Sequence, residues 1–263
     1  NIVRFIFTLI VKRATVRKIR NPEKVTKTYQ VNAFSSNEKS LPQNFGELVN
    51  LIHLDIFRFD NLEEIPKEIE NLHKLEILEI TNCPNLKSLP ENIGNLKNLK
   101  SLSLNLKNLE YIPESIGNLA NLESLHLNLP NLKSLPENIG NLKSLKNLSL
   151  DLESLEYIPE SIGNLENLEY LDLHSLTLNT LPNTIGNLKA LKSLEINETD
   201  LKELPESIGN LENLEVLNIL LSYDINELPN SVTNLKNLKE LYVDLDDVNV
   251  PDSVKHLVVL DDD

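Results

Sequence analysis

Cysteine is nearly absent from the sequence, and methionine and tryptophan are missing altogether. Cys83 is the single cysteine, so the chain cannot build an internal disulfide framework. We therefore expect a reducing compartment, or a bacterial exterior that does not rely on disulfides. Aromatic residues make up only 5% of the chain. Leucine must accordingly supply most of the core.

The sequence also lacks the patterns that mark common active sites, membrane spans and nucleic-acid binders. It contains no HExxH, CxxC, GxSxG or P-loop motif. The apolar run Ile2–Val11 is short and interrupted by Arg4, so we expect no membrane span. A net charge of −15 argues against nucleic acid as the main partner.

What the sequence has instead is a repeat. Prolines recur every 22 to 24 residues from residue 42 onward, a period inside the range of 20 to 29 residues typical of leucine-rich solenoids. Every glycine follows a proline by four residues, as Gly117 follows Pro113. The recurring prolines are Pro42, Pro66, Pro90, Pro113, Pro136, Pro159, Pro182, Pro205, Pro229 and Pro251.

One unit, IPESIGNLANLESLHL over residues 112–127, shows how the repeat folds. Leu125 and Leu127 alternate with polar residues as in a half-buried strand, and Ile116 and Leu119 have helical spacing. Each unit is thus predicted to be a strand, a loop and a short helical or 3-10 turn. Because one unit cannot bury its leucines alone, the units must stack into a solenoid.

These residues resemble the leucine-rich repeat (LRR) family of the typical 23-residue class, similar to plant intracellular Ras-group-related and bacterial LRR proteins. The resemblance covers residues 41–263, about ten repeats with the last one incomplete. It implies an α/β fold: a curved horseshoe with a parallel sheet on its concave face and short helical or 3-10 turns on its convex face. It also implies a protein-binding role.

The chain departs from this family at the ninth position of the repeat, where an internal asparagine ladder is usual. No repeat has asparagine there. We predict instead a ladder of apolar or small side chains. Where a repeat has a leucine one residue before the ninth position, that leucine is the ladder residue, and in the other repeats it is the ninth residue itself. Its predicted members are Leu106, Leu129, Leu152, Leu221 and Leu245, together with Phe59, Cys83, Leu176 and Thr199.

A second period of two repeats is visible in the charges. The charge of the residue that follows the first strand leucine alternates strictly in sign from one repeat to the next. In stacked strands such residues lie about 4.8 Å apart, so we expect a ladder of Glu–Lys pairs along one rim of the sheet. The alternating residues are Glu76, Lys100, Glu123, Lys146, Glu169, Lys192, Glu215 and Lys239.

Residues 1–40 differ from the rest in composition. They hold nine basic residues against Glu23 and Glu38, a net charge of +7. We interpret them as a basic N-terminal capping segment, with strands 14–20 and 25–34 forming a β-hairpin. The functional alternative is a basic arm for an acidic partner or a membrane surface. The chain begins with Asn1, so we expect a processed chain or part of a longer one.

The outward strand positions predict the candidate site. Residues of this face combine tyrosine with carboxylates and histidine, a combination that favours protein binding. His126 is about 9–10 Å from Asp172 across two strands, too far to share a metal. We therefore predict no catalytic site, cofactor or metal. The candidate binding residues are Tyr170, Asp172, His174, Asp151, Glu195, His126, Asn147 and Tyr242.

The main functional hypothesis is a non-catalytic protein–protein interaction module that binds basic segments of a partner on its concave, acidic face. One alternative is the recognition segment of a larger effector or receptor, and another is a bacterial surface adhesion repeat. We favour a monomer and a cytoplasmic location, with a bacterial surface or secreted location as the alternative.

Overall fold

The computed structural model describes residues 6–10, 28–32, 39–41, 44–244 and 248–259 of the chain. By internal contacts the chain forms two compact units, Asn1–Asn131 and Leu132–Asp263. Each unit repeats a short strand, a loop and a 3-10 turn, in the order predicted from the sequence. Each unit is therefore a stretch of the expected solenoid.

In the first unit parallel strands pair in chain order. They are β1 (Ile6–Ile10), β2 (Thr28–Asn32), β3 (His53–Phe57), β4 (Ile77–Thr81), β5 (Ser101–Asn105) and β6 (Ser124–Asn128). The 3-10 turns of this unit span Phe45–Glu47, Lys67–Asn71, Glu91–Asn95 and Glu114–Asn118.

The second unit has the same arrangement. Its parallel strands are β7 (Asn147–Asp151), β8 (Tyr170–His174), β9 (Ser193–Asn197), β10 (Val216–Asn218) and β11 (Glu240–Tyr242). Its 3-10 turns span Glu137–Asn141, Glu160–Asn164, Asn183–Asn187, Glu206–Asn210, Asn230–Asn234 and Lys255–Leu257. Over the described ranges, no helix of either unit is long and apolar enough to cross a membrane.

The core follows the predicted alternation along the strands. In β8, Leu171 and Leu173 are buried, whereas Tyr170, Asp172 and His174 between and beside them are not. The 3-10 turns close the core from the other side. Pro113 directly precedes one such turn, and its carbonyl accepts a hydrogen bond of 3.0 Å from the Ile116 N–H. Within each unit, strands β3 to β11 and most of the 3-10 turns thus contribute buried leucine or isoleucine to the core.

The glycines allow adjacent turns to pack closely. None has a positive φ, so a left-handed backbone is not what requires them. A Cβ atom built on Gly140 would lie 2.2 Å from the Ser161 carbonyl oxygen in the turn of the next repeat. The absent side chain therefore sets how near the two turns can come.

The buried ladder is confirmed in the repeats where it uses leucine directly after the strand. Leu106, Leu129 and Leu152 are fully buried beside the strand leucines. Phe59 and Cys83 occupy the same layer in earlier repeats. An apolar ladder therefore replaces the asparagine ladder there.

Two predicted ladder members are wrong. Leu176 and Leu221 are 48% and 45% exposed, and the neighbouring serines Ser175 and Ser222 are buried in their place. Leu221 has a φ of +62°, which turns its side chain away from the core. Thr199 is buried as predicted. The predicted ladder position of Leu245 lies outside the described residues.

The two buried serines have the same spacing to the following core residue that Leu129 has to Leu132. Ser175 is three residues before Leu178, whose N–H bonds to the Ser175 carbonyl, and Ser222 stands in the same relation to Ile225. The buried hydroxyl groups of the ladder hydrogen-bond to each other: the Ser222 Oγ lies 3.1 Å from the Thr199 Oγ1. In this part of the second unit the ladder is polar.

The predicted charge ladder is present within each unit. Lys100 Nζ lies 3.0 Å from a carboxylate oxygen of Glu76 in the first unit. In the second unit, Lys192 pairs with Glu169 at 2.6 Å. Each exposed pair contributes only about 0.2–1 kcal/mol. Its larger effect is on register, because a slip of one repeat would place like charges side by side.

Asparagines form ladders that the sequence analysis did not anticipate. They lie on the outer loops, where each side-chain N–H donates to a backbone carbonyl of the preceding repeat. The Asn121 Nδ2 is 2.8 Å from the Lys97 oxygen, and the Asn167 Nδ2 is 2.8 Å from the Lys143 oxygen. The recurring NLxNL pattern was the available signal. These bonds tie successive loops together where no strand pairing exists.

The N-terminal segment does not form the predicted hairpin. Strand β2 falls within the predicted strand 25–34, but both of its neighbours, β1 and β3, run parallel to it. A hairpin requires an antiparallel partner. The apolar run at Ile2–Val11 supplies β1 instead, and the predicted strand 14–20 lies outside the described residues. Strands β1 and β2 thus continue the sheet of the repeats.

Cys83 provides a test of the buried ladder. Burial raises the pKa of its thiol to about 11. At pH 8 only about one such thiol in a thousand is ionised, and the thiolate is the reactive form. We expect a disulfide reagent to react with the native chain at least a hundredfold more slowly than with the urea-unfolded chain. A Cys83→Ala variant gives the baseline, and equal native and unfolded rates would contradict the burial of this ladder position.

Candidate functional site

The outward positions of β7, β8 and β9 form three columns across the second unit. Strand register aligns Asn147 with Tyr170 in one column, Ser149 with Asp172 and Glu195 in the next, and Asp151 with His174 in the third. Of the outward side chains on these three strands, only Ser193, the first residue of β9, is buried, and the others are partly or fully exposed. Parallel sheets are usually covered on both faces. Here one face is open among the described residues.

His174 is the centre of this face. Its Nδ1 lies 2.7 Å from Asp151 Oδ1, and its Nε2 lies 3.1 Å from Glu198 Oε2. Partial burial lowers the pKa of His174, but the hydrogen bonds and charges of Asp151 and then Glu198 outweigh it. The net effect is a pKa raised above the ordinary value. The protonated imidazolium is therefore the form that this pair of carboxylates stabilises.

The other carboxylates are oriented by hydroxyl groups. The Ser149 Oγ donates to Asp172 Oδ2 at 3.1 Å, across the β7–β8 pairing. The Ser193 Oγ donates to Glu195 Oε1 at 3.4 Å on the same strand. None of the outward positions of β7, β8 and β9 is lysine or arginine. The charge of this face is therefore negative, with His174 as its only outward titratable base.

Tyr170 adds an aromatic side chain to this face, with 49% of it exposed. It begins β8 and aligns with the exposed Asn147 on β7. Tyrosine is enriched at protein interfaces because its ring buries a large area and its hydroxyl can still hydrogen-bond. The combination of an exposed ring with fixed carboxylates is typical of a binding surface.

The sequence matches a family model described as a leucine-rich repeat region, over residues 24–134, 114–200 and 183–262. The chain belongs to the leucine-rich repeat family. A search of curated protein sequences gives no significant match.

Solved structures agree with this assignment. An LRR protein of Leptospira interrogans is 32% identical, with a TM-score of 0.62 over 90% of this chain and 71% of that chain. The LRR domain of the type III effector XopL is 28% identical, with a TM-score of 0.70 over 84% and 76% of the two chains.

A third similar structure is the LRR ectodomain of the receptor kinase GASSHO1/SCHENGEN3 from Arabidopsis thaliana, in complex with CASPARIAN STRIP INTEGRITY FACTOR 2. It is 27% identical to this LRR chain, with a TM-score of 0.64 over 88% of this chain. This chain spans only 29% of that ectodomain, so the likeness is to one part of it.

The LRR register brings most predicted site residues together, but not all of them. Tyr170, Asp172, His174, Asp151, Glu195 and Asn147 lie on adjacent strands of the second unit. Tyr242 lies on β11, two strands beyond β9, where its hydroxyl donates to Glu240 at 2.9 Å. His126 lies on β6 of the first unit. Both residues are outward as predicted, but Tyr242 lies apart from the cluster on its own unit.

Glu198 is the site residue that the sequence analysis missed. It follows β9 and has a φ of +50°, which directs its side chain back towards His174. Arg58 and Asn82 have the same left-handed backbone at the ends of their strands. Polar residues at this point of the repeat were the available signal. Among the described residues, no group of three or more His, Cys, Asp and Glu side chains is arranged to hold a metal ion.

The pKa of His174 gives a testable consequence. In an NMR titration, we expect the His174 imidazole to titrate at higher pH in the wild type than in an Asp151→Asn, Glu198→Gln double variant. Because the folded pKa is raised, the stability from this contact is complete below the unfolded pKa of about 6.5 and is lost as pH rises through the folded value.

Thermal unfolding of the two proteins checks this sign. The melting temperature of the wild type should exceed that of the double variant by more at pH 5.5 than at pH 8.5, since only the imidazolium is stabilised by both carboxylates. A His174 midpoint that is equal or lower in the wild type would contradict the proposed electrostatics.

Proposed function

We propose that this LRR chain is a non-catalytic protein-interaction module that binds basic segments of a partner on the strand face of its second unit. The strand face is defined as the outward side chains of β7, β8 and β9, which the sequence predicted to lie on a concave face. One observation carries the proposal: Tyr170, Asp172 and His174 stand on an open face where no outward residue is lysine or arginine.

The electrostatics of the strand face favour a cationic partner. Asp151 and Asp172 are held by His174 and Ser149, so their positions are set before a partner arrives. Pre-organised groups reduce the entropy lost on binding. A negative field also steers basic segments towards the face, and the attraction falls with salt over a Debye length of about 10 Å at 0.1 M.

The exposure of these groups argues against catalysis. Active sites shift pKa values and strengthen electrostatics by excluding water. Asp172 and Glu195 are instead partly exposed on a sheet surface, and each accepts a hydrogen bond from a serine of the same face. The receptor kinase ectodomain described above holds another protein factor, which supports a binding role for LRR chains of this kind.

A second candidate is that the chain is the recognition segment of a larger effector or receptor. The likeness to the LRR domain of the type III effector XopL favours it. The likeness to the Leptospira interrogans protein leaves a bacterial surface adhesion repeat as a further alternative. The full open reading frame distinguishes a recognition segment of a larger protein from a stand-alone module. Fractionation of the native organism tests whether the chain is a surface adhesion repeat.

The strand face can be tested by a matched pair of triple variants. One replaces Tyr170, Asp172 and His174 with alanine. The control replaces Ser101, Ser103 and Asn105, which occupy the same positions on β5 of the first unit. At pH 8.5, where the stability from the imidazolium of His174 is lost, both should keep a melting temperature near that of the wild type, because partly exposed side chains contribute little to stability.

Immobilised proteins are then used to capture partners from a lysate of the native host, with quantification by mass spectrometry. We expect the strand-face variant to retain at least tenfold less of the basic proteins than the wild type and the control. The wild-type capture should also weaken as salt is raised from about 0.05 to 0.5 M. Equal capture by all three proteins would contradict the proposal and turn attention to residues 1–40.

A further inference from the structure

Three large apolar side chains are exposed where strands of the second unit end. Leu176 and Leu221 are 48% and 45% exposed, and Tyr223 is 68% exposed. We call these three residues the apolar rim. Isolated exposed leucines are common, but several on one edge of a sheet indicate a contact surface.

Hydrogen bonds fix the order of the residues along this edge. The Ser222 Oγ, between Leu221 and Tyr223 in sequence, lies 3.1 Å from the Thr199 Oγ1. The loop 221–223 therefore lies against the loop 198–200. Glu198 in turn reaches back to His174, two residues before Leu176. The edge thus runs from Leu176, past Glu198 and Asp200, to Leu221 and Tyr223.

The exposed residue Leu221 also has a strained backbone conformation. Its φ is +62°, a left-handed conformation that disfavours bulky residues by about 1–2 kcal/mol. Among the residues that the structure describes, three other non-glycine residues have the same sign of φ at the ends of strands, and all of them are polar: Arg58, Asn82 and Glu198. A leucine here leaves nearly half of its surface exposed and strains the backbone. Packing within the chain is therefore a weak reason for it.

We infer that the apolar rim anchors the partner of the strand face, and that it selects an extended segment with a lysine or arginine between two apolar side chains. This inference rests on the proposed function. Glu198 and Asp200 supply the negative charge between the apolar positions. Together with Asp151 they are three carboxylates against the one imidazolium of His174, so the charge there stays negative.

The spacing of the repeats defines the segment further. Neighbouring parallel strands lie about 4.8 Å apart, so the backbones of Leu176 and Leu221, two repeats apart, are separated by about 10 Å. An extended segment in the polyproline II conformation has three residues per turn and rises about 3.1 Å per residue, so its side chains at positions i and i+3 lie on the same side, about 9 Å apart. Apolar side chains three residues apart in such a segment therefore match the rim, with the basic residue at either position between them.

The test begins with a random peptide library displayed on phage and selected on the immobilised full chain. We expect enrichment of apolar residues at positions i and i+3 with lysine or arginine between. A fluorescently labelled synthetic peptide from the enriched set is then titrated against the wild type and three variants.

The rim variant carries Leu176→Ser, Leu221→Asn and Tyr223→Ser. Asparagine tolerates a left-handed backbone and occupies the equivalent position at Asn82. The control, Tyr157→Ser, removes another half-exposed tyrosine of the same unit. The third is the strand-face variant defined above. We expect the rim variant to bind at least tenfold more weakly than the wild type and the control to bind as the wild type does.

Other outcomes overturn the inference in distinguishable ways. If the peptide binds the rim variant as tightly as the wild type but loses affinity for the strand-face variant, the rim is not an anchor and the proposed function stands. If no variant changes affinity, or no basic peptide is enriched, both fail. If the wild type is a dimer in sedimentation and the rim variant a monomer, a second copy of the chain occupies the rim instead.

Discussion

Burial of leucine between successive repeats is the interaction on which the rest of the structure depends. A single strand and turn cannot cover Leu171 and Leu173, but the same residues are fully enclosed when the neighbouring repeats stack on them. Close approach of the turns requires the small residue at positions such as Gly140. The polar ladders of asparagine and of Glu–Lys pairs then bond each repeat to its immediate neighbours. Stability therefore builds up from contacts between adjacent repeats.

The same stacking produces the candidate site. Once the leucines of β7, β8 and β9 point inward, every second residue must point outward, and parallel register brings Asp151, Asp172 and Glu195 onto one face. No separate folding event is needed to assemble that surface. The fixed carboxylates attract cationic groups, and the half-exposed Tyr170 offers contact area, so charge and shape act on the same partner.

The sequence was sufficient to predict what depends on the repeat period. It predicted the strands, the turns, the outward columns and the buried position of Leu129, because each follows from alternation or from stacking. It failed at Leu221, which occupies the same place as Leu129 when counted from the strand. In that repeat the buried residue is Ser222, three residues before Ile225, and the extra residue, Leu221, takes a left-handed backbone. Glu198 was missed because it takes the same left-handed backbone after its strand.

Leu221 and Leu129 therefore offer the most direct test of the account, because they have the same position counted from the strand but only Leu129 is buried. Each is replaced by asparagine, and the free energy of unfolding is measured by urea titration. Leu221→Asn should leave it within about 0.5 kcal/mol of the wild type, because the side chain is exposed and asparagine suits a left-handed backbone. Leu129→Asn should lower it by at least about 3 kcal/mol, since it buries an amide in a core leucine site. A comparable loss for both variants would contradict the account.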